Sequence, residues 1–500
     1  MHSGLSGDVF WQLASGRWML DHHQILRQDV FSYTVLGRHW LTPEWGYQVL
    51  LAAAVRQLGP VAFWLLSAGT ATLTVLAVTA RCRRYGAGWT WTGIVALTCG
   101  AAMAVFSRDR PEMVSYLLLA VVMLVLTLAR SHRGWLVVVP LLCAIWANDH
   151  GSYVLALAVL VLELVTAVRP LRLGRLVATD PLPLRAVSLT LVASVLATLV
   201  NPEGWGIYPY TVRLTFNPAI GRLIEEWQSP DFHVLVLLVL VAGPLAVTAA
   251  YFLFSDQTVP AIDLLLAGAL LVATLESVRF LPYFVVAWCG VAARCPPIPS
   301  ERLRGTVATW PLVAVLGVAL LAGPWVPAGQ PATGLPVRAV AYLQAHRGRV
   351  FSSYRWNDYL IDKSVPVFVD GRTDLYTGTG TLSRYLDVAN LTTDPDTILH
   401  RYHVAYVLWD RASPLAVYLA HDPQWRTVWH RGSVVVFASN AVAGARHGVA
   451  NAAAGAHLGV ATTPVTPHPG VSTPTDTAQV RASAGGRVAT RSPPLRASPR

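Results

Sequence analysis

The sequence predicts a polytopic α-helical membrane bundle followed by a soluble α/β domain, and three observations predict it. Hydrophobic residues make up 54% of the 500, charged residues only 13%, and mean hydropathy is +0.47. That composition excludes a water-soluble chain of this length. Apolar runs long enough to cross a hydrocarbon core of about 30 Å recur through the first two thirds of the chain. Beyond about residue 333 the texture changes to short apolar runs separated by polar helical stretches.

Residues 1–58 are polar enough to form a first extracytoplasmic loop. Such a loop needs a start-transfer element ahead of it, so an upstream transmembrane helix is expected to be missing, the alternative being a segment that crosses unaided. About ten spans fill 59–326, near 59–80, 89–106, 111–130, 135–147, 151–168, 184–200, 233–254, 259–275, 279–294 and 308–326. Nothing there alternates with a period of two, and every backbone amide in lipid must be paired within its segment, so the spans are helices. Arginines follow alternate spans, at Arg81, Arg83 and Arg84, Arg130 and Arg133, Arg169, Arg172 and Arg175, and Arg294, Arg302 and Arg304. Positive loops stay in the cytoplasm, which puts the other set of loops outside. The formal charge of +11, with Lys363 as the one lysine, is therefore a topology signal and no sign of nucleic acid. Cys82, Cys99, Cys143, Cys289 and Cys295 lie in or beside apolar runs and support neither a disulfide framework nor a cysteine zinc site.

From 333 to 440 an extracytoplasmic α/β domain is expected. Its strands are Arg349 to Ser353, Val365 to Asp370, Val404 to Trp409 and Ser433 to Ala438, with helical stretches near 379–389 and 413–420. Residues 441–500 are rich in Ala, Gly, Pro, Ser, Thr and Arg. They hold too few large apolar residues for a core, so a disordered, solvated basic tail is expected.

Polar side chains collect on the outer face. Asp8, Asp21, His22, His23, Asp29 and Glu44 come from the first segment. Arg108, Asp109, Arg110 and Glu112, then Asn148, Asp149 and His150, then Asn201, Glu203, Glu225 and Glu226, and finally Glu276 and Arg279 come from later outer turns. One such residue is only a polar loop residue. Recurrence on one face points instead to a shared water-filled cavity.

These residues carry a resemblance. Gly7-Asp8-Val9-Phe10-Trp11-Gln12-Leu13-Ala14-Ser15-Gly16-Arg17-Trp18-Met19-Leu20, then Gln28-Asp29-Val30-Phe31-Ser32-Tyr33-Thr34 and Trp40-Leu41-Thr42-Pro43-Glu44-Trp45, resemble the first outer loop of bacterial GT-C-type membrane glycosyltransferases, in a poorly characterised branch. The likeness continues through Arg110-Pro111-Glu112, Trp146-Ala147-Asn148-Asp149-His150-Gly151, Asn201-Pro202-Glu203-Gly204-Trp205, Glu225-Glu226-Trp227-Gln228 and Val369-Asp370-Gly371-Arg372-Thr373-Asp374-Leu375-Tyr376. The resemblance implies a polyprenyl-phosphate sugar donor and, in the first outer loop, a catalytic aspartate whose position Asp8 matches. A carboxylate there can take the proton of an attacking acceptor hydroxyl, and a single displacement inverts the anomeric centre. Two positions depart from the usual pattern. Ser6 and Gly7 stand where an acidic residue often precedes the aspartate, and Gln12 stands where His is common; both weaken a metal site at Asp8.

The leaving phosphate calls for cations. Arg279, Arg110 and Arg108 are the candidates, since a guanidinium binds phosphate oxygens bidentately and stays charged. For Arg279 an internal pair with Glu276 is the alternative. A divalent cation, Mg or Mn, could neutralise the phosphate equally well, with Asp109 and Asp149 as ligands, although no spacing is diagnostic. Most aromatic rings belong to interfacial belts. Trp11, Trp45, Trp205 and Trp227 instead neighbour outer carboxylates and either anchor or pack on a sugar face; Glu44 and His150 join them as substrate-binding candidates. Asp370 and Arg372 follow a predicted strand, where they either contact acceptor or form a turn and a salt bridge. The reading is transfer of a hexose or pentose to a cell-envelope glycan, lipid or protein, by a multi-pass plasma (inner) membrane protein embedded in membrane lipid. A transporter or flippase for lipid-linked sugars and an inactive scaffold are the alternatives.

Overall fold

The computed structural model describes residues 8–106, 110–168, 172–173, 176–177, 181–215, 225–254, 259–294 and 334–440. The expected span at 308–326, the tail at 441–500, Arg108 and Asp109 lie outside the described residues.

The apolar runs are helices: α3 (Val61–Arg84), α4 (Trp89–Phe106), α5 (Glu112–Ala129), α6 (Val138–Ala147), α7 (Val154–Val168), α8 (Leu184–Thr198), α10 (Leu235–Phe254), α11 (Ala261–Glu276) and α12 (Leu281–Arg294), with the short α9 (Ile207–Thr215) before α10. Among the described residues, five helical stretches are long and apolar enough to cross a membrane: Val61–Arg84, Trp89–Phe106, Glu112–Ala129, Gly151–Val168 and Leu235–Leu253. The protein is a multi-pass membrane protein. Helix α12 is buried from Leu281 to Ala293, which explains why its apolar residues occupy every side: it is packed all round by other helices.

The segment expected as a first outer loop carries two helices, α1 (Asp8–His22) and α2 (Trp45–Leu58). They pack so closely that a Cβ at Gly16 would run into the Gln48 carbonyl, so only glycine fits there. Gln12, Ser15 and Gln48 are buried between apolar neighbours, and these polar positions hide both helices from a search for apolar runs.

The last part of the described chain is an α/β domain with a four-stranded sheet. Two-residue strands β1 (Arg172–Leu173), β2 (Leu176–Val177) and β3 (Val259–Pro260) lie earlier; the main sheet is β4 (Val350–Ser352), β5 (Tyr406–Asp410), β6 (Trp425–Arg431) and β7 (Val434–Ser439), ordered β4-β5-β7-β6. β4 pairs parallel to β5, and the other pairs are antiparallel. Gly432, with φ of 57°, makes the tight β6–β7 turn. The strand expected at Val365 to Asp370 is instead an extended segment whose Val367 makes single bridges to Ser32 and Val350. Helices α13 (Val337–His346), α14 (Tyr354–Asp362), α15 (Thr381–Ala389), α16 (Pro395–Arg401) and α17 (Pro414–His421) cover the sheet. Bundle and α/β domain belong to one compact unit, Met1–Gly444.

Ion pairs gather at both ends of the bundle. At the arginine-rich end the buried Arg81 pairs with Asp263, donates from Nε to Thr127 Oγ1 at 3.1 Å, and shares Tyr85 with Asp263. Arg130 meets Glu163 at 2.6 Å close by. The opposite end carries the candidate site.

Candidate active site

Asp8 stands in the first described turn of α1. Its Oδ2 lies 2.6 Å from Nη2 of Arg110, whose Nη1 is 2.5 Å from Glu226 Oε2. Burial works against the charge on Arg110, yet Asp8, Glu112 and Glu226 more than offset it and raise its pKa. The turn Arg110-Pro111 ahead of α5 and the short helix Glu225–Trp227 thus face the N-terminus of α1.

Beside that triad lies a second group. Glu112 begins α5 and is 3.7 Å from Arg279 and 3.9 Å from Nε2 of His150, which is 3.9 Å from Glu44. Arg279 stacks over Trp227 at 4.4 Å from the ring centroid, so its partners are Glu112 and Trp227, not the exposed Glu276. Glu44 precedes α2 but does not cap it; its carboxylate instead accepts a hydrogen bond from Gln12 Nε2. Trp45 Nε1 donates to Asn148 Oδ1 at 2.7 Å, and the Gly46 N–H donates to the Asn148 carbonyl at 2.9 Å. These bonds dock the start of α2 on the α6–α7 turn.

The two groups differ electrically. Burial pushes the Glu44 carboxyl up to about 8, with Glu112, Asp149 and Asp374 adding to the rise and Gln12 opposing it. Burial and Glu112 likewise push Asp149 well above the usual carboxylate range. Burial lowers His150 to about 4, despite Glu112 and with help from Arg279. His150 Nδ1 accepts the Ser152 N–H at 3.2 Å, so the neutral ring carries its proton on Nε2, facing Glu44 and Glu112. At neutral pH, Glu44 and His150 are uncharged hydrogen-bonding groups beside the Asp8–Arg110–Glu226 triad.

The residues singled out from sequence fall into four sets. Asp8, Arg110, Glu44, His150, Arg279 and Trp227 converge as described, with Asp149 beside them and Trp45 holding their scaffold. Trp11 packs edge-on to Trp40 at 5.9 Å, between α1 and the α/β domain. Trp205 does not join them; it is 66% exposed and its ring leans on Tyr208, an anchor's surroundings. For Asp370 and Arg372 the structure shows the salt-bridge alternative. Both side chains are fully buried: Arg372 Nη2 lies 2.5 Å from Asp29 and 2.6 Å from Asp370, and its Nε donates to Asp370 at 2.9 Å. The three form an internal brace between the first segment and the α/β domain, out of reach of a ligand. Asp374 and Tyr210 were missed as members of the site: Asp374 accepts from Tyr210 at 2.9 Å and Trp40 at 3.1 Å and adds to the rise at Glu44. No apolar period or motif marks a tyrosine on α9. Among the described residues, no group of three or more His, Cys, Asp or Glu side chains is arranged to hold a metal ion. A cavity of about 300 Å³ between α1 and α2 is lined by Arg17, Asp21, Ala52 and Arg56 and not by this cluster.

No family model matches the chain, and a search of curated proteins finds no match. Among solved structures it is similar to the oligosaccharyltransferase AglB of Archaeoglobus fulgidus in complex with an inhibitory peptide and a dolichol-phosphate, at 10% identity and a TM-score of 0.54, covering 82% of this chain and 66% of that one. The same archaeon's oligosaccharyltransferase in complex with zinc and sulfate aligns at 11% identity and a TM-score of 0.52, over 82% and 64%. ArnT from Cupriavidus metallidurans aligns at 17% identity and a TM-score of 0.54, over 88% of this chain and 94% of that one. The chain thus spans about two thirds of the archaeal enzyme's length. Likeness at such low identity speaks for architecture alone, and by that architecture the protein has the GT-C fold of membrane glycosyltransferases.

Proposed function

We propose that the protein is a membrane glycosyltransferase that moves a sugar from a polyprenyl-phosphate donor to an acceptor on the outer side of the plasma membrane, with inversion and with Asp8 as general base. The observation that carries this reading is the Asp8–Arg110 contact of 2.6 Å at the helix start of α1: base and phosphate-binding cation stand side by side. The acceptor hydroxyl attacks the anomeric carbon, its proton passes to Asp8, and the bond to the donor phosphate breaks as the phosphate takes up the electron pair. Arg110 and Arg279 stabilise that developing charge, while Glu44 and His150, uncharged at neutral pH, suit sugar hydroxyls. Trp227, held under Arg279, and Trp11 offer ring faces to the sugar or the first isoprene unit. A solved neighbour that holds dolichol-phosphate and a peptide supports this class of donor and acceptor. The α/β domain would then lie outside the cell, over the site.

A divalent cation, Mg or Mn, would supply charge neutralisation at the donor phosphate. Asp149 Oδ2 and Glu112 Oε2 are buried without a hydrogen-bond partner. They are the hard oxygen donors that would hold such an ion. The decisive experiment is Asp8→Asn in the full-length gene product, assayed in membranes supplied with a labelled polyprenyl-phosphate sugar. Transfer should fall about 10²–10⁴-fold while expression and folding persist. Unchanged transfer would refute Asp8 as the base, and movement of lipid-linked sugar across the membrane without transfer would replace the enzyme by a transporter.

A further inference from the structure

Helix α14 of the α/β domain lies along α1, and two contacts fix their register. Arg17 Nη1 meets Asp362 Oδ1 at 2.5 Å, and the rings of Phe10 and Tyr359 meet edge to face at 5.1 Å. Asp358, next to Tyr359, accepts the Gly371 N–H on Oδ1 at 2.7 Å. A Cβ at Gly371 would stand 2.7 Å from Asp358 Oδ2 and 3.0 Å from Trp11 Cδ1, so Asp358 and Trp11 converge on a residue that must be bare. Asp8 precedes Trp11 by three residues and therefore shares its face of α1. The groups that act electrostatically on Asp358 are Asp8 with its Arg110, Asp370 with its Arg372, and Tyr354 on its own helix. Burial raises the Asp358 carboxyl well above the usual range, Asp8 and then Asp370 raise it further, and the Gly371 N–H and Arg372 only partly oppose them.

We propose that Asp358 is a positioning residue for Asp8: one carboxyl from α1 and one from the α/β domain share a single negative charge, which leaves Asp8 the ionised member beside Arg110. Two close carboxyls that cannot both ionise divide into one charged and one neutral group. The neutral Asp358 then keeps the base free to take the acceptor's proton, and the α/β domain becomes part of the reacting site. Its catalytic meaning rests on the glycosyl-transfer reading above; the charge sharing itself does not.

The test uses the full chain in lipid nanodiscs, followed by infrared difference spectroscopy over a pH titration, with no glycosyl donor present. At neutral pH Asp358→Asn, which retains an acceptor for the Gly371 N–H, should remove one component of the protonated-carboxyl absorption and leave the component of Glu44 in place. In Asp8→Asn the like charge is gone, so Asp358 should give up its proton about tenfold more readily, a midpoint lower by about one pH unit. Protonated-carboxyl absorption that Asp358→Asn leaves undiminished, or a midpoint of the Asp358 component that Asp8→Asn leaves in place, overturns the proposal; should Asp358→Asn fail to fold, the Asp8→Asn titration decides alone. A midpoint that shifts as stated while Asp8→Asn leaves transfer intact would uphold the pairing and refute Asp8 as the base.

Discussion

Arg372→Met removes a cation whose two partners have nowhere else to turn. The guanidinium and the carboxylates of Asp29 and Asp370 are fully buried, and Phe31 and Trp40 stack on Arg372 at 5.0 and 4.8 Å. Breaking a buried pair from one side costs about 3–5 kcal/mol, because the remaining charge is left without water or partner. Asp29 keeps its bonds from Ser32 Oγ at 2.5 Å and from the N–H groups of Phe31 and Ser32, both at 3.1 Å. Those bonds hold the loss near the middle of that range, about 4 kcal/mol, or roughly a thousandfold in the local opening equilibrium. Amide hydrogen exchange of the full-length protein in detergent should show that loss of protection in residues 28–40 and 365–376 together, since the brace joins them. Adding Asp29→Asn and Asp370→Asn to the Met variant should recover most of it, because neutral amides no longer strand charge. Unchanged exchange combined with abolished transfer would refute the brace and return Arg372 to the substrate.

Gly290→Ala should be destabilising by about 1–3 kcal/mol, read as a lower unfolding temperature in detergent, because the new methyl would strike the guanidinium of Arg81 and stand 2.9 Å from Asp263 Cγ. Stability should also fall on both sides of neutrality. Glu44, raised to about 8 from an ordinary 4.5, contributes stability that is complete below 4.5 and is lost as pH rises through 8. Glu44→Gln should therefore reduce the alkaline slope of unfolding temperature against pH. His150, lowered to about 4 from 6.5, contributes stability present above 6.5 and lost as pH falls through 4; His150→Gln should flatten the acid side, and an unaltered slope in either variant would refute the assignment.

What the sequence made legible follows from what lipid forbids. A charge at the end of an apolar helix is conspicuous because it is costly there, so Arg110, Glu112, His150 and Arg279 could be selected before their contacts were known. In the α/β domain the same side chains carry no such penalty signal, and a buried brace reads like a binding loop: Asp370 and Arg372 follow an extended segment as site residues often do, yet they close on Asp29, more than three hundred positions earlier. Helix α14 escaped notice because its inward face interleaves Trp356, Tyr359 and Leu360 with the buried Asn357 and Asp358, which breaks the apolar period. Strand β6 escaped because it is a mostly exposed edge strand with a register irregularity between Thr427 and Trp429.

Helix α14 and the missed Asp374 share a further cause: their polar residues meet partners outside their own domain. Arg17 meets Asp362, Thr34 Oγ1 donates to the Phe368 carbonyl at 2.6 Å, and Trp40 and Tyr210 both donate to Asp374. Such contacts leave no local pattern, because each half looks like an unsatisfied polar residue until the other half is in place. They also make the α/β domain and the first segment one packed body, so disturbing the brace at Arg372 is expected to reach Asp8 through α1 and α14 without touching any ligand. Loss of transfer in such a variant, restored along with amide protection by neutralising Asp29 and Asp370, would separate that indirect route from direct contact, since a substrate-binding arginine could not be replaced by two amides and a methionine.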